Sequence, residues 1–599
     1  MRRAIAEADP EISEAVDFAH YYAERAKELD AVDGAAFVPS KLTVVTPPWN
    51  FPIAIPIGGV LAALAAGSAV VIKPAPPTPG CVEVAAEAIF EALDAAGVSR
   101  DVLQVVRVAE NEAGQALVAH ADVDTVILTG ASDTARLFAG WRADRDPKTG
   151  GSRVYGETSG KNSLIITPAA DLDLAVADLV KSAFGHAGQK CSAASLAILV
   201  GSVGSSERFR RQLVDAVRSL RVGWPGDIGA TMGPVIEPPS GKLLRALTTL
   251  EEGETWLVEP RQLDDSGRLW SPGLKDGVAP GSFFHLTEVF GPVLGLMRAD
   301  SLEEAIELQN ATAYGLTGGL HSLDEGEIDR WLDEVEVGNA YVNRHITGAI
   351  VRRQSFGGWK ASAVGPGAKA GGPNYVAQLG TWHSQGLPTK LGEPKQPART
   401  FLRAVLPLLG DRAERMWLRA AAGSDAYVWE TELGRPHDDS DLVVETNVFR
   451  YRPAPTVWVR TSAEARLAHV LRLVLAGLAA GTDVRISLDP TTSAELKALD
   501  GRDEQTSAGL RVLATFVDRA ETDEDFLVRV ERGEVTGRIR LVGDGSALAR
   551  QLQEEAAAGD ITLLTQEVLA TGRRELLTMV REQAVSRTMH RFGHLAGAH

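Results

Sequence analysis

Ile12, Ala15, Val16, Phe18, Ala19, Tyr22, Ala23 and Ala26 recur at three- and four-residue intervals after an acidic start, so the spacing predicts a helix over residues 11–29. From residue 41 the period changes. Short β-branched runs (LTVVTP, AVVIKP, LQVVRV, DTVILTG, SLIITP) alternate with helices or turns, which predicts buried strands of a mostly parallel α/β sheet. A second series (LAILVG, FFHLTEVFGPVLGLM, GGLHSL, NAYVNR) follows Cys191. The longest apolar stretch, IAIPIGGVLAALAAGSAVVI, is broken by Pro56, Gly58, Gly59 and Gly67. It reads as loop, helix and strand inside a domain rather than a membrane span. Residues 385–398, QGLPTKLGEPKQPA, are polar and rich in Pro and Gly, and read as a linker to a further α/β region, residues 399–599.

That last region echoes the first. LAALAAGSAVVIKP at 61–74 resembles LAGLAAGTDVRISL at 475–488, pairing Gly67 with Gly481, and VILTGAS ending at Ser132 resembles RLVGDGS ending at Ser546. Gly67 to Gly130 is 63 residues and Gly481 to Gly543 is 62, so helix, strand and spacing are repeated together. Chance likeness of Ala/Gly-rich helices is the competing explanation. No cysteine follows Cys191, and the alignment puts Glu464 opposite Asn50 and Ser487 opposite Lys73, so a copy would carry no thiol chemistry.

Composition narrows the class. A chain of 599 residues exceeds one core and implies several domains. A hydrophobic share of 45% with 23% charged residues is that of a soluble globular protein, and a net charge of -18 argues against nucleic acid or an acidic membrane as partner. Two cysteines cannot build a disulfide framework, and the N-terminus lacks the apolar core of a signal peptide; both point to the cytoplasm.

One of those cysteines, Cys191 in FGHAGQKCSA, raises the question of chemistry, since a free Cys is more often a small core residue than a nucleophile. Four other segments bear on it. VTPPWNFP sets Asn50, whose amide can donate to an oxyanion, in a Pro-flanked loop; AVVIKP sets Lys73 at a strand end, where ligands of open α/β sheets bind; YGETSGKN sets Glu157 just before a strand; TEVFGPV sets Glu288 and Phe290 in a loop. Each alone is weak.

Together, in this order and with gaps of 23 (Asn50 to Lys73), 34 (Glu157 to Cys191) and 97 (Cys191 to Glu288) residues, they resemble the aldehyde dehydrogenase superfamily over roughly residues 11 to 380. The resemblance implies that the Cys191 thiolate attacks an aldehyde, with the oxyanion held by the Asn50 amide and the Cys191 N–H. It implies that hydride passes to a nicotinamide and that Glu157 activates the water that hydrolyses the thioester. Glu288 would hold the nicotinamide ribose with Phe290 beside the ring, Trp49 would lie on the cofactor side, Lys73 would bond the adenosine ribose, and Gly130 and Ser132 would approach the pyrophosphate at a helix N-terminus. The cofactor implied is NAD rather than NADP, with no metal and no flavin in this chain. Pro76 stands where the family usually has an acid that helps bind the ribose.

The stretch from YVNRHITG to KAGGPNYV resembles the L-glutamate γ-semialdehyde (Δ1-pyrroline-5-carboxylate) dehydrogenases of proline catabolism, especially those fused to proline dehydrogenase. On that reading the Ser192 hydroxyl and the N–H groups of Gly371 and Gly372 receive the substrate's carboxylate. The alternative to GGP as an anchor is a simple chain reversal. A dehydrogenase of another aldehyde, or a truncated, partner-dependent or inactive subunit, are the competing functions.

Only 48 residues precede Trp49, fewer than the family carries, so the expectation is the C-terminal half of a bifunctional polypeptide, arising by a split gene, a shifted start or a chosen boundary. A proline dehydrogenase is the expected partner, and an oligomer is compatible with the sequence. The expected domains are a helical lead-in (1–40), an NAD-binding domain (41–158), a catalytic domain (159–384), the linker and a non-catalytic α/β domain (399–599). The tail REQAVSRTMHRFGHL, with Phe592 and Leu595, is expected to dock on the acidic body or to fray in solvent.

Overall fold

The computed structural model describes residues 5–109, 111–142, 153–557, 561–591 and 594–595. The β-branched runs form strands at Leu42–Thr46, Ala69–Ile72, Leu103–Val105, Thr125–Thr129 and Asn162–Ile166. Val44, Val70, Ile72 and Val126 are sealed from solvent, as befits parallel strands covered by helices on both faces.

Among the described residues the first sheet runs Ala363–Val364, Arg153–Glu157, Thr125–Thr129, Leu42–Thr46, Ala69–Ile72, Leu103–Val105, parallel except at its Ala363–Val364 edge. The expected leading helix spans Ile5–Ala26 and packs on the apolar helix Ala54–Ala65. That packing is close because two side chains are missing: a Cβ at Gly58 would sit 2.9 Å from the Phe18 ring, and one at Gly59 2.9 Å from Val45. No helix among the described residues is long and apolar enough to cross a membrane.

A second sheet of nine strands, again counted among the described residues, carries the largest core. Its order is Glu445–Pro453, Val580–Thr588, Asn339–Val342, Thr317–His321, Asn162–Ile166, Ala194–Val200, Val293–Ala299, Gly273–Asp276, Thr255–Val258. This corrects the expected boundaries. Val580–Thr588 pairs parallel with Asn339–Val342 and antiparallel with Glu445–Pro453, so residues 399–599 are not a self-contained body. The strand completes the catalytic sheet because its buried polar side chains find partners there: Gln583 Nε2 donates to Val337 O at 2.9 Å, and Ser586 Oγ bonds Asn447 at 2.8 Å. The segment expected to dock or fray is thus a sheet strand over 580–588. Phe592 lies outside the described residues, as does the side chain of Leu595.

Among the described residues, the rest of the C-terminal region carries a five-stranded parallel sheet: Val517–Ala520, Asp483–Leu488, Thr456–Thr461, Gly537–Val542, Ile561–Leu564. Read by chain position, this is the strand order of the first sheet without its Ala363–Val364 edge. The helix Leu467–Ala480 precedes its second strand as Ala54–Ala65 does in the first sheet, and both turns are made by a left-handed glycine, Gly67 (φ +90°) and Gly481 (φ +74°). Residues 385–397 hold no helix or strand, but they are tied down: Thr389 and Lys390 N–H donate to Asp33, and Gly392 N–H to Gly423 O.

Candidate active site

Cys191 lies in a loop that leaves helix Leu172–Phe184 through three consecutive left-handed residues, His186 (φ 55°), Ala187 (φ 53°) and Gly188 (φ 68°). Such conformations cost non-glycine residues and persist only where neighbours impose them. Here Glu7 accepts the His186 N–H, and the His186 ring lies against Trp49 and Phe51. At Gly188 a Cβ would fall 2.3 Å from Gly291 O, so only glycine fits.

Past the turn, Asn50 Nδ2 donates to Gln189 O (3.1 Å), Gln189 Oε1 accepts from Ile236 N–H (3.0 Å), and Asn162 Nδ2 donates to the carbonyls of Cys191 (2.6 Å) and Ala193 (3.0 Å). Asn50 therefore braces the loop that carries Cys191. Gln189 and Asn162 were not singled out from sequence. Asn162 closes the quoted GETSGKN motif, so a signal for it was present.

Glu157 is the final residue of strand Arg153–Glu157, ahead of strand Asn162–Ile166. Its Oε1 is buried without a hydrogen-bond partner. Burial pushes its carboxyl up to about 7, against the opposing pull of Lys369 and of the Cys191 thiol beside it. Burial, then the Glu157 and Glu288 charges, push the Cys191 thiol well above its usual range, so at rest it is protonated. The pair can pass a proton, and neither partner is fixed in its charged form.

The expected cofactor residues gather at the C-terminal edge of the first sheet. Strands Leu42–Thr46, Ala69–Ile72 and Thr125–Thr129 end together at Thr46, buried Lys73 and Gly130, and Ser132 begins the helix Ser132–Trp141 at that edge. Across the cleft, Glu288 accepts the Gly160 N–H at 2.9 Å, while Phe290 (φ 56°) meets Trp49 edge-on, ring centroids 6.0 Å apart. A cation and a helix N-terminus along one strand edge, with a carboxylate across the cleft, fit the ribose and phosphate groups of a dinucleotide. No group of three or more His, Cys, Asp or Glu among the described residues could hold a metal ion.

On its other side Cys191 opens into a cavity of about 100 Å³ lined by Glu14, Phe18, Tyr22, Phe51, Ser192 and Tyr375 among others. Tyr22 stacks between Phe18 (5.2 Å) and Tyr375 (5.8 Å). Ser192 lines this cavity beside Cys191. The glycine pair does not offer what was expected: Gly371 N–H donates to Tyr22 Oη (2.9 Å) and Gly372 N–H closes a turn on Lys369 O (2.9 Å). Both donors are engaged because the loop must satisfy its own buried amides. The aromatic wall was read from sequence only as a helix core face, since periodicity does not distinguish a face on a core from a face on a cleft.

Residues 1–381 match the aldehyde dehydrogenase family. The chain is 36% identical over 382 residues to 1-pyrroline-5-carboxylate dehydrogenase of Geobacillus sp. (strain WCH70), covering 62% of this chain and 73% of that one. Among solved structures it resembles proline utilization A from Corynebacterium freiburgense (TM-score 0.83, 48% identity, 99% of this chain and 54% of that one). It also resembles a Thermus 1-pyrroline-5-carboxylate dehydrogenase with bound NAD (TM-score 0.58, 32% identity, 64% of this chain and 75% of that one). The chain thus spans about half the length of the Corynebacterium protein.

Proposed function

Because the chain belongs to the aldehyde dehydrogenase family, we propose that it oxidises L-glutamate γ-semialdehyde, the open form of Δ1-pyrroline-5-carboxylate, to L-glutamate. The observation that carries this is the Cys191–Glu157 pair, set between a dinucleotide-fitting strand edge and an aromatic cleft with polar groups at its wall.

In this reading Cys191 Sγ adds to the aldehyde carbon as its proton leaves for Glu157, which is partly ionised at neutral pH. The second Asn50 amide hydrogen and the Cys191 N–H hold the oxyanion. NAD, when bound, supplies the hydride acceptor. Lys73, Ser132, Gly130, Glu288, Phe290 and Trp49 orient it. Glu157, after releasing that proton to solvent, then takes one from the water that hydrolyses the thioester. Ser192 Oγ, together with Tyr22 Oη, whose own hydrogen is not used by Gly371, donates to the α-carboxylate, and Glu14 offers its negative charge to the α-ammonium.

A proline dehydrogenase is the natural source of this substrate in the cytoplasm, either as a separate partner or as part of a longer polypeptide. The test is NADH production by the full chain from the semialdehyde and from pentanal, which has the same carbon chain and no amino-acid head. A selectivity on the order of 100-fold or more is expected, since buried polar groups left unpaired by pentanal penalise it. Equal rates on both would sink the substrate assignment.

A further inference from the structure

Resting on that substrate reading, we propose that Glu582, carried by the strand Val580–Thr588, is a positioning residue that holds the loop Lys369–Asn374 and through it the amino-acid end of the substrate cleft.

The geometry is that of a clamp. Glu582 Oε2 accepts the Lys369 backbone N–H at 2.8 Å and Oε1 accepts Asn374 Nδ2 at 2.7 Å, so one carboxylate ties both ends of the loop. Its main chain is pinned in turn: Glu582 O accepts from Trp359 Nε1 at 2.8 Å, and the Arg581 guanidinium lies 3.9 Å over the same indole. Glu582, Lys369 and Asn374 are all buried, where charge-assisted hydrogen bonds are stronger and costlier to lose.

What the loop presents to the cleft shows why this matters. Ala370 and Tyr375 line the cavity, and Gly371 N–H fixes the Tyr22 hydroxyl, whose ring stacks on Tyr375. Lys369 points the other way, its ammonium held by Asn339 Oδ1 (2.9 Å) and Gly357 O, within electrostatic reach of both Glu157 and Glu582. A shift of the loop would move the tyrosine pair by the same amount. The Cys191 loop hangs from Asn50 and Asn162 instead, so it would stay in place. Glu582 is thus built to act on recognition of the amino-acid head and not on the chemical step.

The experiment compares the full chain with Glu582→Ala on L-glutamate γ-semialdehyde and on pentanal, at saturating NAD. KM for the semialdehyde is expected to rise on the order of 30-fold, with its kcat and the pentanal kcat/KM changed by less than about threefold. An equal loss on both aldehydes would assign Glu582 to general stability, and an unchanged semialdehyde KM would detach it from the loop; either overturns the proposal. Should Glu582→Ala not fold, Glu582→Gln carries the test. It keeps the shape and one acceptor but sets an amide nitrogen against the second donor, so a rise of about tenfold is expected. An unchanged KM there overturns the proposal equally. If the wild-type chain shows no preference for the semialdehyde, the substrate reading fails. If the preference exists and survives the substitution, only the role of Glu582 fails.

Discussion

Two sheets in this molecule share one strand order, and their C-terminal edges have opposite fates. In the first, the strands end at Thr46, Lys73 and Gly130 beside a helix N-terminus, and the edge faces the cleft of Cys191. In the second, the corresponding edge is filled by its own side chains. Arg460 donates to Ser487 Oγ (3.0 Å) and pairs with Asp523 (2.7 Å), Ser487 Oγ donates to Glu521 (2.7 Å), and Arg529 pairs with Glu521 (2.6 Å) and Asp518 (2.9 Å). The position opposite Lys73 is Ser487, inside that network. Topology provides the place where a ligand can bind; the side chains decide whether it is left open or closed by ion pairs.

The largest effect expected at the open edge is at its thiol. Cys191→Ala should lower NADH formation by at least roughly 10⁴-fold, with NAD affinity by fluorescence titration nearly unchanged, because the thiol acts on the aldehyde. Cys81→Ala should match the parent. Activity surviving in Cys191→Ala but lost in Cys81→Ala would remove the chemistry from this edge.

Glu157→Gln comes next. Steady-state turnover should fall on the order of 10²- to 10³-fold, yet rapid mixing should show a first equivalent of NADH per enzyme, slower than the parent's because the amide cannot take the Cys191 proton and still faster than later turnovers, since hydride leaves before water is needed. Glu157 is a carboxyl raised to about 7 and acts in its deprotonated form, so parent deacylation should climb as pH rises through about 7 and fall away below it. Absence of that first equivalent would mean that thiol deprotonation, and not deacylation, is the step at which Glu157 is indispensable.

The smallest effects test the comparison itself. Lys73→Ala should raise KM for NAD by about tenfold without moving the denaturation midpoint. Arg460→Ala should leave KM alone and cost about 1–3 kcal/mol of stability in denaturant titration, its partner Asp523 being half exposed. If Arg460→Ala weakened NAD binding instead, the second edge would be a site and not a plug.

The candidate site was legible because its residues stand in short words at fixed gaps: Asn50, Lys73, Glu157, Cys191 and Glu288 could each be singled out before the fold was known. The parallel strands were legible from their buried apolar runs, and the repeat from its glycines. Val580–Thr588 was not. Its alternation is of polar residues on both faces, with Glu582, Gln583 and Ser586 buried, and their partners Lys369, Val337 and Asn447 are distant in sequence. Burial of this kind is set by tertiary pairing and leaves no periodic trace. The Gly371 and Gly372 donors failed as an expectation for a related reason, since what an amide is free to bind depends on neighbours such as Tyr22, from the far end of the fold.

The place of Val580–Thr588 between Asn339–Val342 and Glu445–Pro453 also bears on how the chain is made. Its parallel neighbour emerges from the ribosome roughly 240 residues earlier, a wait of about 10–50 s at 5–20 residues per second. Throughout that interval the outer edge of Asn339–Val342 is unpaired, the kind of surface that recruits chaperones or stray strands. Nascent chains stalled before Val580 should therefore carry the Cys191 loop on a sheet that has not closed, and should be the species most prone to aggregate during synthesis.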